Sequence, residues 1–268
     1  MTALEPIYTA GNCRFAYQLR WAITIFWRLP VADSFWLSNF EEALKTDDIR
    51  ILSWRWLGDD AMQFAVSTLP TASPVFIVQR IKGRVQYAVR EHSPKALRPH
   101  YAIRSYGTQE REIIEAYIAK QPSKHPMAAQ RSQQIFEDLI FVDANVDLSV
   151  PQKTEHGNVW YNLHIVLVHE DRWRDVDLNR LKRTQSMIVR CAKRKAWRLS
   201  RCAILADHLH LALGCNVTES PLQVVLSLMN NIAWVYGMKA ILCHSAFLGT
   251  FGEYDQRAIA DASLPPDP

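Results

Sequence analysis

The segment Asp207-His208-Leu209-His210-Leu211 lies in an apolar run, residues 204–213, and this run predicts a buried β-strand. Side chains two residues apart on a strand point to the same face, so His208 and His210 would stand side by side while Leu209 faces the opposite layer. Two adjacent imidazoles suit a divalent metal ion. Two strand histidines that make only hydrogen bonds fit the spacing equally well, so the pair alone does not establish a metal site.

The strand with the histidine pair belongs to a pattern of elements that occurs twice in the chain. Each copy has, in order, a strand-like run, a helix-like segment, two further strand-like runs, a second helix-like segment and a closing run. In the first copy these are residues 16–21, 33–46, 49–54, 58–65, 76–91 and 99–107. In the second copy they are residues 160–165, 177–195, 196–201, 205–212, 222–238 and 245–252. The match rests on order and spacing, and two unrelated α+β halves could align as loosely.

From this pattern we expect an α+β fold with two tandem domains, each an antiparallel sheet with helices packed on one face, in a ferredoxin-like arrangement. The first domain would span residues 1–121 and the second 159–268. Residues 122–158 contain prolines and one helix-like piece near 130–140, so they are predicted to form a linker.

The two copies differ at two places. Ala61 and Gln63 stand in the first copy where His208 and His210 stand in the second. The first copy also continues into a predicted helix over residues 108–121, with Thr108 as its expected N-cap. The second copy ends in a short proline-rich tail that cannot form such a helix.

The predicted helix 108–121 carries a tyrosine and a glutamine, Tyr117 and Gln121, on one face, because they are four residues apart. A tyrosine hydroxyl can act as a nucleophile, and a glutamine carbonyl can bind a hard metal ion. Taken in isolation, the simpler interpretation is that Tyr117 packs with its neighbours Ile113 and Ile114 and that Gln121 is solvated.

Together, His208-Leu209-His210 and Tyr117-Ile118-Ala119-Lys120-Gln121 resemble the motifs of the single-tyrosine HUH transposases, the insertion sequence 200/605 type and the related REP-associated transposases. In that family two subunits pair, and the tyrosine helix of one can complete the histidine pair of the other. Here the first copy keeps the helix and the second keeps the histidines. The resemblance therefore implies a fused pseudo-dimer of two HUH-type domains with one composite active site.

The same resemblance implies the chemistry. His208, His210 and Gln121 would bind Mg²⁺ or Mn²⁺, and Tyr117 would attack the phosphorus of single-stranded or hairpin DNA to give a phosphotyrosine and a free 3′-hydroxyl. Asp207 could orient a histidine from behind, or could simply be a solvated carboxylate. The expected activity is transposase-like nicking and strand transfer.

Basic residues are concentrated in residues 180–201, which contain no acidic side chain. Such a run often marks only a solvated face, but its single sign favours phosphate binding. The candidate nucleic-acid contacts are Arg190, Lys193, Arg194, Lys195 and Arg198. The net charge of the whole chain is +4 and its pI about 8.8, values that permit a nucleic-acid partner without requiring one.

The remaining composition limits the class of protein. The five cysteines are odd in number and show no CxxC spacing, which favours a reducing compartment and argues against structural zinc. No apolar run reaches membrane-spanning length and no signal peptide is evident, so we expect a cytoplasmic protein without a membrane partner.

Two alternatives to the nickase remain open. One is a non-catalytic, domesticated transposase relative that binds hairpin or single-stranded nucleic acid. The other is a ribonuclease that uses His208 and His210 as general acid and base, a mechanism that needs no metal.

Overall fold

The structure, a computed structural model, describes residues 5–29, 36–124 and 130–252, and these form twelve β-strands and seven α-helices. The strands are β1 (Arg14–Gln18), β2 (Arg20–Trp27), β3 (Ile49–Trp56), β4 (Ala61–Thr68), β5 (Leu97–Tyr106), β6 (Ile140–Val142), β7 (Gln152–Lys153), β8 (Gly157–Trp160), β9 (Asn162–His169), β10 (Arg198–Ile204), β11 (His208–Gly214) and β12 (Leu242–Thr250). The helices are α1 (Leu37–Lys45), α2 (Pro74–Val89), α3 (Arg111–Ala119), α4 (Gln121–Lys124), α5 (Gln130–Asp138), α6 (Leu178–Arg194) and α7 (Pro221–Val235).

The described strands form two six-stranded sheets, so the α+β class expected from the sequence is confirmed. The first sheet has the strand order β3-β4-β2-β5-β8-β7. The second has the order β6-β10-β11-β9-β12-β1. Each half of the chain follows the succession strand, helix, strand, strand, helix, strand, and the four strands of each succession have the same order in space.

The two sheets exchange strands. β1 leaves its own half and pairs in parallel with β12, and β8 pairs in parallel with β5. The expectation of purely antiparallel sheets is therefore wrong, because each sheet gains one parallel neighbour from the other half. The predicted runs 16–21 and 160–165 are each divided between two sheets, with the breaks at Leu19 and Tyr161.

Ser105 and Thr250 hold the joint between the sheets with hydrogen bonds that mirror each other. Ser105 Oγ accepts from the first backbone amide of β9 at 2.9 Å and donates to the Phe251 carbonyl at 3.1 Å. Thr250 Oγ1 accepts from the first backbone amide of β2 at 2.9 Å and donates to the Tyr106 carbonyl at 2.6 Å. Both side chains thus satisfy backbone groups at which the chain leaves one sheet for the other.

Glycine is required where the two strand ends meet. A Cβ atom on Gly107 would lie 2.2 Å from the Thr250 carbonyl oxygen, and one on Gly252 would lie 2.9 Å from the Ser105 carbonyl oxygen. Gly252 also has φ +133°, a conformation that residues with a side chain rarely adopt. The two backbones can approach this closely only without side chains.

One continuous cluster of buried side chains lies beneath both sheets. Trp21 of β2 and Tyr161 at the second break are fully buried in it, with ring centroids 5.2 Å apart. Helices α1 and α2 pack on each other beside the first sheet, and α6 and α7 pack on each other beside the second. The two halves therefore share a core instead of forming separate ones.

Several predicted boundaries are corrected. Residues 204–213 do not form one strand, because β10 ends at Ile204 and β11 begins at His208 after a turn. Thr108 is not the N-cap of α3, a position that Glu110 occupies without a side-chain hydrogen bond. The helix carrying Tyr117 ends at Ala119, so Gln121 begins the separate short helix α4.

The segment predicted as a linker contributes to both sheets. Its described residues include α5, β6, β7 and the first two residues of β8. β6 pairs with β10, β8 pairs with β5, and β7 pairs with β8. Residues 253–268, which contain the predicted proline-rich tail, lie outside the described part of the chain. Among the helices that the structure describes, none has the length and apolar character needed to cross a membrane.

The close approach at the joint predicts opposite effects for two glycine-to-alanine changes. Gly107→Ala should lower the free energy of unfolding by about 1–3 kcal/mol, because the new methyl group overlaps backbone atoms. Gly83→Ala is the matched control, since Gly83 lies inside α2 and a Cβ there meets nothing within 4 Å. It should raise the free energy of unfolding by about 0.5–1 kcal/mol. Urea titration measures both, and equal effects would contradict the described joint.

Candidate active site

The two faces of β11 carry different kinds of side chain. Leu209, Leu211 and Leu213 are fully buried in the shared core, on the side of the sheet covered by α6 and α7. His208 and His210 therefore point to the other face of the second sheet. Each is only 5% exposed, so both rings are covered by neighbouring groups.

A third histidine, His164 of β9, joins the pair. His164 lies opposite Ala212 of β11 in the strand register, and its Nε2 atom is 3.1 Å from Nδ1 of His210. His164 could not be predicted as part of the site, because the pairing of β9 with β11 is not visible in the sequence. The sequence does carry one signal: Asn162 and His164 are polar residues at alternate positions near the start of a strand that is apolar from residue 165 to residue 168.

Asp207 contacts the other histidine of the pair. Its Oδ1 atom lies 2.6 Å from Nδ1 of His208, and its Oδ2 atom accepts a hydrogen bond from Arg172 Nη1 at 3.3 Å. Burial tends to raise the pKa of Asp207, but the hydrogen bond from His208 and the nearby positive charges outweigh it and hold this pKa below its usual value. Asp207 is therefore ionised and bound to His208 at neutral pH.

His164 is held in its neutral form. Burial lowers the pKa of its imidazole to about 4, because the charged ring would lose its hydration. A neutral imidazole has one ring nitrogen that donates and one that accepts, so the contact with His210 is a hydrogen bond in one direction only.

Helix α3 covers this face of the second sheet although it belongs to the first half of the chain. Its residue Ile118 is fully buried with Ala203 of β10 and Ala212 of β11. Alanines at these two positions leave room for the helix. The approach is set by the joint, because α3 begins shortly after Gly107 and the Gly252 amide donates to the Gln109 carbonyl at 3.5 Å.

A buried carboxylate fixes α3 on β10. Glu115 is 7% exposed and accepts hydrogen bonds from Ser200 Oγ and, at 3.1 Å, from Arg111 Nη1. Arg201 Nη2 lies 3.9 Å from the same carboxylate. A buried carboxylate is stable only when it is paired and hydrogen-bonded, so Glu115 links α3 to the second half of the chain.

This docking places Tyr117 beside the histidines. Its ring centroid lies 5.5 Å from that of His210 and 6.1 Å from that of His164, with both rings close to perpendicular to the tyrosine ring. Tyr117 is 37% exposed, so a ligand could reach it from solvent. The ammonium group of Lys124 lies 4.0 Å from the centre of the tyrosine ring.

Gln121 is fully buried instead of being solvated. Its side-chain amide nitrogen donates to the Tyr117 carbonyl at 3.2 Å, so the side chain folds back onto the last turn of α3. This hydrogen bond uses Nε2 and leaves the carbonyl oxygen Oε1 as the atom of Gln121 that could bind a cation.

The basic segment lies on the other side of the second sheet. Arg190, Lys193, Arg194 and Lys195 are exposed on or just after α6, which packs against the face opposite to the histidines. Lys195 pairs with Glu219 at 2.8 Å. The structure therefore does not bring these side chains to Tyr117.

Arg198 makes hydrogen bonds to two backbone carbonyls. Its Nη1 atom donates to the carbonyls of Asp147 and Val150 at 3.2 and 2.7 Å. Burial lowers the pKa of Arg198. The guanidinium group thus anchors the segment before β7 to the start of β10.

The corresponding position in the first half holds a different network. Gln63 accepts from Arg55 Nε at 3.0 Å, and its amide nitrogen donates to Thr24 at 3.4 Å. Gln63 and Thr24 are each 1% exposed. At the position of His210, the first sheet therefore has the amide of Gln63, which is hydrogen-bonded to the hydroxyl of Thr24.

No cluster of three or more histidine, cysteine, aspartate or glutamate side chains suited to a metal occurs in residues 5–29, 36–124 and 130–252. Within these residues, a metal at the histidine pair would need a ligand of another type, such as the Gln121 carbonyl or a water molecule. Asp207 and His164 each contact an Nδ1 atom of the pair, so a metal ion that left these two contacts in place would have to bind Nε2.

Comparison with protein-family models and with curated protein sequences gives no match. One solved structure, described as a proposed glycine cleavage system transcriptional repressor, is 8% identical over 88% of this chain and 98% of its own, with a TM-score of 0.23. An unknown protein from Galdieria sulphuraria is 12% identical over 87% and 98%, with a TM-score of 0.22. Likeness at this level identifies neither a fold family nor a function.

Removal of the buried carboxylate should release α3. In Glu115→Ala we expect amide hydrogen exchange in residues 111–121 to be about tenfold faster or more, equivalent to about 1.4 kcal/mol or more of docking free energy. Glu112→Ala is the control, because Glu112 also pairs with Arg111 but its side chain is 76% exposed. Mass spectrometry of peptides reports the exchange. Unchanged protection in Glu115→Ala would show that the apolar contacts alone hold the helix.

Proposed function

We propose that this chain is a transposase-like, metal-dependent DNA nickase and strand-transferase of the single-tyrosine HUH type. The observation that carries the proposal is the contact between Tyr117 of the first half and His210 of the second, with ring centroids 5.5 Å apart. Neither half contains both groups. A tyrosine 37% exposed beside two strand histidines is the arrangement that a covalent tyrosine mechanism needs.

The organisation of the chain supports a fused pseudo-dimer of two ferredoxin-like HUH-type domains. The four central strands of each sheet have the same order, and the halves exchange β1 and β8 in the same way. The hydrogen bonds of Ser105 and Thr250 are reciprocal, as equivalent contacts around a two-fold axis are in a homodimer. Duplication and fusion of one ancestral domain, followed by loss of complementary parts, accounts for one composite site.

The donor atoms at the site fit a divalent transition metal. His208 and His210 would bind it through Nε2, since their Nδ1 atoms contact Asp207 and His164. A histidine ligand whose second nitrogen contacts a carboxylate or another acceptor is typical of protein metal sites. Gln121 could supply a carbonyl oxygen. Imidazole ligands favour Mn²⁺ over Mg²⁺, and either ion when bound would polarise the phosphate and neutralise its charge.

In the proposed reaction Tyr117 Oη bonds to phosphorus and the bond to the 3′ oxygen breaks. The phenol loses a proton and the leaving oxygen gains one, so no oxidant or reductant is needed. The product is a phosphotyrosine and a 3′-hydroxyl, and the reverse attack by another 3′-hydroxyl joins strands. The Lys124 ammonium beside the tyrosine ring would attract the phosphate.

The proposed substrate is single-stranded or hairpin DNA. At the site itself, Arg172 pairs with Asp207, and the ammonium group of Lys124 lies over the Tyr117 ring. The exposed cations of α6 lie on the opposite face, so they would contact a more distant part of the same DNA. In this arrangement the stem of the hairpin would contact the cations of α6, and its single-stranded part would extend to Tyr117.

The test is formation of a covalent adduct between the protein and labelled hairpin DNA in the presence of Mn²⁺, read on a denaturing gel. The wild type should form an adduct that EDTA abolishes. Tyr117→Phe should form none while still binding DNA, because only the hydroxyl is removed. Tyr87→Phe is the matched control, since Tyr87 is 65% exposed on α2 of the first half. His208→Ala should lose the adduct through loss of metal.

The outcomes separate the alternatives. An adduct that persists in Tyr117→Phe would move the nucleophile to another residue. Specific DNA binding without any adduct, over a library of hairpins, would indicate the non-catalytic relative. Cleavage of RNA that EDTA does not affect and that His208→Ala abolishes would indicate the acid–base ribonuclease.

A further inference from the structure

We propose that His164 is a positioning residue: it accepts a hydrogen bond from the Nδ1–H group of His210 and fixes the tautomer in which Nε2 of His210 can bind a metal. This inference rests on the proposed function, because metal binding at Nε2 requires the ring proton of His210 to be on Nδ1. His164 itself would not touch metal or DNA in this role.

The geometry of the two rings is that of a hydrogen bond within a common plane. The Nε2 atom of His164 and the Nδ1 atom of His210 are 3.1 Å apart. The ring planes differ by 17° and the ring centroids are 5.4 Å apart. The centroids are much farther apart than the two nitrogen atoms, so both nitrogens lie between the two ring centres and the rings meet edge to edge. A shared plane directs the lone pair of one nitrogen at the proton of the other.

His164 is fixed on both sides, which makes it a suitable orienting group. It lies on β9, between β11 and β12 in the middle of the second sheet, and is 8% exposed. The Phe247 ring lies 6.0 Å away at 70°, and the Tyr117 ring 6.1 Å away at 77°. These neighbours leave the imidazole little freedom to turn, so its hydrogen bond fixes the His210 ring.

The two histidines of the pair would then be oriented in the same manner by different partners. Nδ1 of His208 contacts the carboxylate of Asp207, the preceding residue in the chain. Nδ1 of His210 contacts His164, which is 46 residues earlier in the chain. In each candidate ligand the Nδ1 atom thus contacts a hydrogen-bond acceptor, and Nε2 is the nitrogen that would bind the metal.

The first half has no orienting histidine at the position equivalent to His164. His164 pairs with Ala212 of β11, and the matching pair in the first sheet is Ala22 of β2 with Ala65 of β4. An alanine therefore occupies the place of His164 in the half that also lacks the histidine pair. The orienting group and the candidate ligands occur together, as expected if His164 serves the ligands.

The experiment compares His164→Phe, which keeps a ring but removes the acceptor, with His164→Gln, which retains an acceptor near the position of Nε2. His169→Gln is the matched control, because His169 is a second buried histidine on β9 and its Nδ1 contacts the Trp173 carbonyl. Long-range ¹H–¹⁵N correlation spectra of the metal-free protein report the His210 tautomer. Electron paramagnetic resonance of free Mn²⁺ reports the metal affinity.

In the wild type and in His169→Gln we expect His210 as the Nδ1–H tautomer. His164→Phe should give a mixture of tautomers and about a tenfold or greater loss of Mn²⁺ affinity, and His164→Gln should recover most of both. A wild-type His210 protonated at Nε2, or a Mn²⁺ affinity unchanged in His164→Phe, would overturn the proposal.

The same data separate this inference from the proposed function. If the wild type shows the Nδ1–H tautomer and His164→Phe disturbs it, but no variant binds Mn²⁺, the metal-dependent function is contradicted and the orienting hydrogen bond stands. If the wild type binds Mn²⁺ and forms the DNA adduct while His164→Phe does both equally well, the function stands and the role of His164 is rejected.

Discussion

The exchange of strands between the two halves is the constraint on which the rest of the structure depends. At Leu19 and at Tyr161 the chain passes from one sheet to the other, and both residues are buried in the shared core. The amides that follow these breaks would be unsatisfied without the hydroxyls of Ser105 and Thr250. The relative position of the sheets is therefore set by buried hydrogen bonds and by apolar packing, and not by a flexible linker.

The site follows from this joint. The end of β5 lies against the end of β12, so α3, which follows β5, packs on the second sheet. There Glu115 and Ile118 hold α3 over β10 and β11. Tyr117 then reaches His210 without any movement of one half relative to the other. These buried contacts hold Tyr117 beside the histidines, and under the proposed function they would fix the position of the nucleophile before it reacts.

The sequence was sufficient to predict the features that depend only on the pattern of neighbouring residues. The order of strands and helices, and the separation of His208 and His210 from Leu209, follow from hydrophobic periodicity. The exchanged strands could not be predicted, because a short apolar run does not reveal which sheet it joins. His164 was missed for the same reason, since only the pairing of β9 with β11 brings it to His210. The break after Ala119 has no strong sequence signal, and the buried state of Gln121 depends on tertiary packing.

The most direct test of the composite site is a crystal structure of Tyr117→Phe with a hairpin oligonucleotide and Mn²⁺, in which anomalous scattering locates the metal. We expect the ion at the Nε2 atoms of His208 and His210, with a phosphate of the single strand between the metal and the ring at position 117. A metal bound elsewhere, or DNA that follows α6 and never enters the face beneath α3, would contradict the account.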